Sequence, residues 1–240
     1  MGNPANFKDG DITKESLNNN FLGVIYKGGP IVILLISFQL IMAVYVIERF
    51  IAIWQCLGKG DLVDFIFKIK RRLSDDDLEG IQQDCDAQKG SVANVVKTGL
   101  ETFLKTRKSD QVDQKDNYLI QKELEEATKL EISMLNMNMF ILSTTAQIST
   151  LIGLLGTVTG MIKAFAALAQ LGEPDAVGLA GGISQALVAT ALDIGTAAIT
   201  IVFYNYFSNK VERIIYTIDK ASFSILHNLN IKFFDFDARR

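Results

Sequence analysis

The sequence predicts an all-α integral membrane protein with three transmembrane helices, the second and third continuing as long helices into the cytoplasm. Two observations carry this. Three stretches, Gly28 to Trp54, Met139 to Leu171 and Leu179 to Phe207, are nearly free of charge, whereas Gly58 to Asn136 holds most of the Lys, Arg, Asp and Glu. Each apolar stretch also exceeds the roughly 20 residues needed to cross a hydrocarbon core of about 30 Å. A soluble domain of 240 residues would need three buried helices of unusual length to account for the same pattern.

The expected organisation is a tail over 1–27, a first span over 28–54, a cytoplasmic helical region over 55–136, a second span over 137–170, an outer loop over 171–178, a third span over 179–207 and a cytoplasmic helix and tail over 208–240. Gly28, Gly29 and Pro30 open the first span, since proline is tolerated where a helix begins. The run is too long for a signal peptide and has no small-residue cleavage site, so the first span is expected in the mature protein. It ends near Glu48 and Arg49, an adjacent opposite-charge pair read as a structural anchor at the inner interface with partners on neighbouring helices. Trp54 follows, an aromatic suited to the headgroup layer.

Orientation follows from Lys and Arg near the span ends. Lys59, Lys68, Lys70, Arg71 and Arg72 follow the first span, and Lys210, Arg213, Lys220 and Lys232 follow the third, so both regions are expected in the cytoplasm. The link from Gln170 to Gly178 has Glu173 and Asp175 and no base. The N-terminus is then periplasmic, with Lys8, Lys14 and Lys27 offset by Asp9, Asp11 and Glu15, and the C-terminus cytoplasmic.

Within the cytoplasmic region, Leu62, Phe65, Ile66 and Ile69 fall on one helical stripe, and Ser74 before Asp75, Asp76 and Asp77 reads as a helix-capping signal. A further helix is expected from Ser91 to Lys105, with a turn at Lys108 to Asp116. From Asn117 no Gly or Pro occurs before Gly153, so one helix is expected to rise into the second span. Some sixty such residues would be about 90 Å long, far beyond the bilayer.

Polar residues inside the spans are costly in lipid and turn toward a bundle interior or a water-filled pathway. In the third span Gln185, Asp193, Thr196 and Thr200 share about a quarter of the helical circumference, with Ser184 and Thr190 at its margins. This stripe is expected to face a shared central axis. Asp193 stands out, because a mid-span aspartate costs about 3 kcal/mol on insertion scales. The alternative is a structural aspartate, protonated or bonded to Thr157 or Thr196. The second span adds Thr144, Thr145, Gln147, Ser149, Thr150, Thr157 and Thr159, while Gly153, Gly156 and Gly160 read as helix-packing positions. Lys163 is expected to snorkel to the outer interface.

Cys56 and Cys85 are expected as reduced thiols, and His227 has no Cys or His beside it, so no metal or cofactor is expected. No nucleotide-binding glycine loop or Ser-His pair marks an enzyme, and no nucleic-acid partner is indicated.

The run Gly153-Leu154-Leu155-Gly156-Thr157-Val158, followed by Gly160, Met161 and Phe165, resembles the signature of the ExbB, TolQ and MotA proton-channel family. Gly28-Gly29-Pro30, Glu48-Arg49, Leu124-Glu125-Glu126, the stretch Ile183 to Ala191 and Tyr204-Asn205 resemble its ExbB/TolQ branch in order and spacing, over nearly the whole chain. The resemblance implies a ring-shaped homo-oligomer of five copies in the bacterial inner membrane, in contact with lipid and surrounding a dimer of a single-span ExbD/TolR-like partner. Ion flow, with H⁺ as the transported ion, then drives rotation that a TonB-like protein delivers to outer-membrane transporters. Thr157 and Thr190 match the threonines that face the partner's membrane aspartate. Gln185 stands where such members have glutamate, Asp193 where they have a small residue, and Ser149-Thr150 and Thr200 replace the family's prolines. The hypothesis is that the ring's carboxylate has moved to Asp193. The rival readings are a TolQ-like or motility stator and a non-conducting helical scaffold.

Overall fold

The computed structural model describes residues 29–107, 114–169 and 175–237, with a few isolated positions before residue 29. Most of the expected 1–27 tail, with Lys27, the greater part of the 108–116 turn, the first half of the 171–178 loop and the last three residues fall outside the described residues. Among the described residues from 29 on, seven helices follow in order: α1 (Gly29–Leu57), α2 (Leu62–Ser74), α3 (Leu78–Gln88), α4 (Gly90–Arg107), α5 (Gln114–Asn136), α6 (Met139–Leu168) and α7 (Ala176–Asp237). No strand occurs among the described residues. Three helical stretches, carrying α1, α6 and the first part of α7, are long and apolar enough to cross a membrane. The chain divides into two compact units, Met1–Ile47 with Phe140–Asn205, and Glu48–Met139 with Tyr206–Arg240.

In the first unit, Ile33, Leu34, Leu40, Ile41 and Val44 of α1 are exposed, and so are Leu151, Leu154, Leu155 and Ile162 of α6. An apolar exterior of this kind suits a hydrocarbon solvent. Beside the buried Val32, Leu35 and Leu142, the interior holds small and polar groups. Ala164, Ala186 and Ala189 are buried, and a Cβ built on Gly160 would stand 2.8 Å from both the Ala186 nitrogen and the Gly182 carbonyl oxygen. One on Gly182 would meet the Ala164 nitrogen at 2.5 Å. Backbone therefore lies on backbone, the approach that small residues permit between membrane helices. Asp175 starts α7 by accepting hydrogen bonds from the Val177 and Gly178 amides at 3.1 and 2.9 Å, so this residue caps the helix.

The second unit has an ordinary hydrophobic core. Phe65, Ile66, Ile69 and Leu73 of α2 are buried. In α7, Phe207, Val211, Ile214, Ile218, Ala221 and Ile225 are buried at alternating spacings of four and three, the stripe of a helix packed on one side. Ile225 lines one small apolar cavity together with Ile69, Leu73, Ile81, Val96, Leu100 and Phe103. Helix α4 lies against α5, close enough that a Cβ on Gly99 would reach a Leu124 methyl at 2.5 Å. The strand of chain after α1 crosses the turn before α4 with no room for side chains. Gly58 and Gly90 have φ of +71° and +80°, and a Cβ on Gly90 would lie 2.5 Å from the Cys56 carbonyl oxygen. Both geometry and crowding require glycine there.

Two local expectations are corrected. Ser74 is the last residue of α2 rather than a cap. Asp76 reverses the chain at φ +58°, and Asp77 caps α3 by accepting from the Gly80 amide at 3.0 Å. The chain from Asn117 is not one helix either: α5 ends at Asn136, and Asn138 at φ +63° separates it from α6. Asparagine tolerates the left-handed region better than most side chains, so a break forms without Gly or Pro.

Candidate functional site

Helices α6 and α7 run antiparallel, and their facing residues define a register. A Cβ on Gly160 would meet Ala186, one on Gly156 would meet Ala189 at 2.5 Å, and one on Gly153 would run into the Asp193 carboxyl group. Between these levels the Thr157 and Thr190 hydroxyl oxygens lie 2.5 Å apart. The packing glycines and the polar residues thus belong to one seam. The glycines remove side chains at the levels where Asp193, Ala189 and Ala186 need the room.

The four stripe residues lie within this packed interior. Gln185 and Asp193 are buried, at 6% and 4% exposure, and Thr196 and Thr200 more completely still. Within the single chain these four are covered by its own helices. Helix α1 supplies the reason: its Gln39 amide donates to the Thr196 hydroxyl at 2.9 Å, and Gly29 lies against the Gln185 amide. A glutamine in the middle of the first apolar run was the signal for this contact, by the same reasoning that singles out polar groups in the third span. Thr157 and Thr190 are only half-buried, so the paired hydroxyls are the part of the seam that another helix can reach.

Lys163 is exposed, and its side chain also reaches back to α7. Its ammonium group donates to the Gln185 Oε1 at 2.9 Å, across the α6–α7 seam. Asp193 has neither of the partners weighed from the sequence, because Thr157 is engaged with Thr190 and Thr196 with Gln39. The Thr150 hydroxyl is its hydrogen-bonding neighbour, and its Oδ1 is buried with no hydrogen-bond partner.

In the second unit, the Arg49 guanidinium forks onto the Glu48 carboxylate at 2.7 and 2.6 Å and donates a third bond to the Leu135 carbonyl at 3.3 Å. Arg49 is 1% exposed. This is a bidentate, charge-assisted pair that ties α1 to the last turn of α5, next to the break at Asn138.

Residues 87–220 match the MotA/TolQ/ExbB proton channel family. An ExbB-like biopolymer transport protein of Synechocystis is 38% identical over 87 residues, 35% of this chain and 41% of that protein. The Tol-Pal system protein TolQ of Pseudomonas aeruginosa is 30% identical over 141 residues, 57% of this chain and 61% of that protein. The TolQ of Haemophilus influenzae is 30% identical over 207 residues, 81% of this chain and 87% of that protein. The matches to the Synechocystis and Pseudomonas proteins span less than two thirds of those proteins' lengths. The family's members are channel components rather than enzymes, and with residues 87–220 matched and three membrane-length apolar helices, this chain belongs to the MotA/TolQ/ExbB proton channel family.

Proposed function

We propose that the chain is the ring subunit of an inner-membrane motor driven by ion-motive force, acting with an ExbD-like partner to energise TonB-dependent transport across the outer membrane. The contact between the Thr157 and Thr190 hydroxyls, half-exposed at a seam that is otherwise closed, carries this reading. Five copies arranged in a ring would present five such pairs to a partner dimer at the centre. The N-terminus lies in the periplasm and the C-terminus in the cytoplasm. H⁺ is the ion that passes from the hydroxyls to a carboxylate on the partner. Hydroxyls suit that step because each offers a donor and two lone pairs. The electrochemical gradient supplies the work, about 2.3 kcal/mol per charge per 100 mV. Gln185, Asp193, Thr196 and Thr200 stand behind the pair as the polar backing of the pathway.

A second reading within the same class, a TolQ-like subunit of an envelope-constricting motor, is favoured by the length of the match to the Haemophilus protein. Recovery of a TonB-like protein with the complex supports the first reading, and recovery of Tol proteins supports the second.

The test is proton flux into liposomes that hold the ring with its co-expressed partner. Thr157→Val and Thr190→Val each remove a hydroxyl at constant shape, and each is expected to lower the flux on the order of tenfold. Wild-type flux in both variants, or no flux in the intact complex, defeats the proposal. The latter outcome favours a scaffold. Separately, energy-dependent uptake that is undiminished in Asp193→Asn removes Asp193 from transport.

A further inference from the structure

We propose that, in the second unit, the outer face of α7 docks on the flank of α5 from a second copy of the chain, with Lys220 of one copy meeting Glu126 of the next. The inference rests on the ring reading for the arrangement of copies about one axis, and adds to it which surfaces meet.

Beyond Phe207, α7 carries two stripes, of which the apolar one is buried in the core. On the opposite side Arg213, Tyr216, Lys220 and Phe223 recur at spacings of three and four. All four are exposed, Tyr216 at 69% and Phe223 at 71%. Phe223 is stacked on His227, with ring centroids 6.1 Å apart. An open cleft of about 430 Å³ is lined in part by Val63 and Ile66 of α2 and by Arg213, Tyr216 and Lys220, with Glu212 as its one acid. Neither Arg213 nor Lys220 has an ion-pair partner among the described residues.

Helix α5 has the counterpart. Leu119, Glu123, Glu126, Leu130 and Met134 form a stripe along its flank, and all are exposed, Leu130 at 68% and Met134 at 60%. Glu126 has only a surface contact with Lys122 at 3.8 Å, of a kind worth little. Large exposed apolar groups interleaved with charge, in the charged half of the chain, mark a surface that another protein covers.

Sign and height select a second copy as that cover. The cleft has two bases to one acid and the α5 stripe has two acids, so each face complements the other rather than itself. The two faces also lie at one level. Leu100 lines the same cavity as Ile225, and Gly99 beside it packs against Leu124, so Leu124 and Ile225 stand at a similar height. From there both helices run toward their membrane spans, α5 with rising and α7 with falling residue number. Glu126 lies about 3 Å and Lys220 about 8 Å along that direction, followed by Leu130 at about 9 Å and Tyr216 at about 14 Å. Long side chains bridge such offsets. Rotation about an axis along α7 leaves heights unchanged, and therefore brings the α5 stripe of one copy level with the α7 face of the next. Because the two faces differ, the contact is heterologous, the kind that closes a ring.

The test uses the full chain, co-expressed with its partner, purified in detergent and freed of its more accessible thiol by Cys56→Ser. Glu126→Cys and Lys220→Cys in the same chain, treated with a short bis-maleimide, are expected to give a ladder of covalent dimers and larger species, while either substitution alone leaves monomer. In the cysteine-free arm, Lys220→Glu is expected to raise the protein concentration at which the assembly dissociates about tenfold, and Lys220→Glu with Glu126→Lys to restore it to within about twofold. An assembly intact by light scattering but without a ladder from the double variant overturns this interface and leaves the ring standing. A chain that is monomeric at every concentration removes both. A ladder from a single substitution shows a two-fold contact, and a cross-link to the partner gives the cover to that protein; either result overturns the proposal, as does charge reversal without rescue.

Discussion

The Asp193 carboxyl group occupies the space that a side chain on Gly153 would fill. The two positions are thus one feature, divided between α6 and α7, and their substitutions are coupled. Gly153→Ala is expected to cost about 1–3 kcal/mol through overpacking. Asp193→Ala in the same chain opens the space again, so the double variant is expected to be more stable than the sum of the single losses predicts. Gly181→Ala and Gly195→Ala, whose added methyls meet nothing within 4 Å, serve as controls. Thermal unfolding in detergent measures all five variants, and additive losses at 153 and 193 would show the contact to be absent.

The pairing of Glu48 with Arg49 predicts an asymmetry. Glu48→Ala leaves a guanidinium that is 2% exposed with the Leu135 carbonyl in place of a carboxylate, and is expected to destabilise the chain by about 2 kcal/mol. That figure is less than the full cost of breaking a buried pair, because the Glu48 side chain is 38% exposed. Arg49→Met, which fills the space without charge, is expected to cost less. Unfolding midpoints that rank the two the other way would place the energetic weight of the pair on the carboxylate.

The two cysteines are expected to differ in reactivity. Burial, helped by Asp86 and Asp84, pushes the Cys85 thiol up to about 12, so at pH 8 only about one molecule in ten thousand carries the thiolate. A maleimide or disulfide reagent at that pH is expected to leave Cys85 unmodified in the native chain and to label it after unfolding, which mass spectrometry of the tryptic fragments reads directly. Prompt native labelling of Cys85 would contradict its burial against the second unit's core.

Asp77 makes part of the second unit acid-sensitive. The Gly80 amide and then Arg72 hold its carboxyl below the ordinary carboxylate value. A carboxyl depressed on folding contributes its stabilisation fully above the unfolded value, near pH 4, and loses it as the pH falls through the lower folded value. Asp77→Asn preserves the helix cap but not this dependence. Its helicity at neutral pH is therefore expected to resemble that of the wild type, while Asp77→Ala loses the start of α3. Circular dichroism across pH 2 to 7 tests both, and an unchanged acid transition in Asp77→Asn would assign the transition to other carboxylates.

Three apolar runs were enough to read an all-helical membrane chain, because length and absence of charge are strong signals in a hydrocarbon solvent. The direction of the polar stripe was not legible, since periodicity places Gln185, Asp193, Thr196 and Thr200 on one face without saying which helix covers it. Gln39 settles that for Thr196, and its own signal was a single amide in an apolar run. The break at Asn138 and the cap at Asp77 went unread because each depends on a backbone φ that residues of several kinds can adopt. Lys163 reads as an interfacial lysine, and only the register of α6 against α7 shows Gln185 within its reach. The signature threonines were legible through family resemblance, and their mutual contact only through packing.

Where Gly160 and Gly182 bring the main chains of α6 and α7 together, no side chain stands between them to swing or slide. That half of the pair has no soft joint. A force applied at that end would be transmitted along both rods at once, and compliance would have to come from elsewhere in the chain.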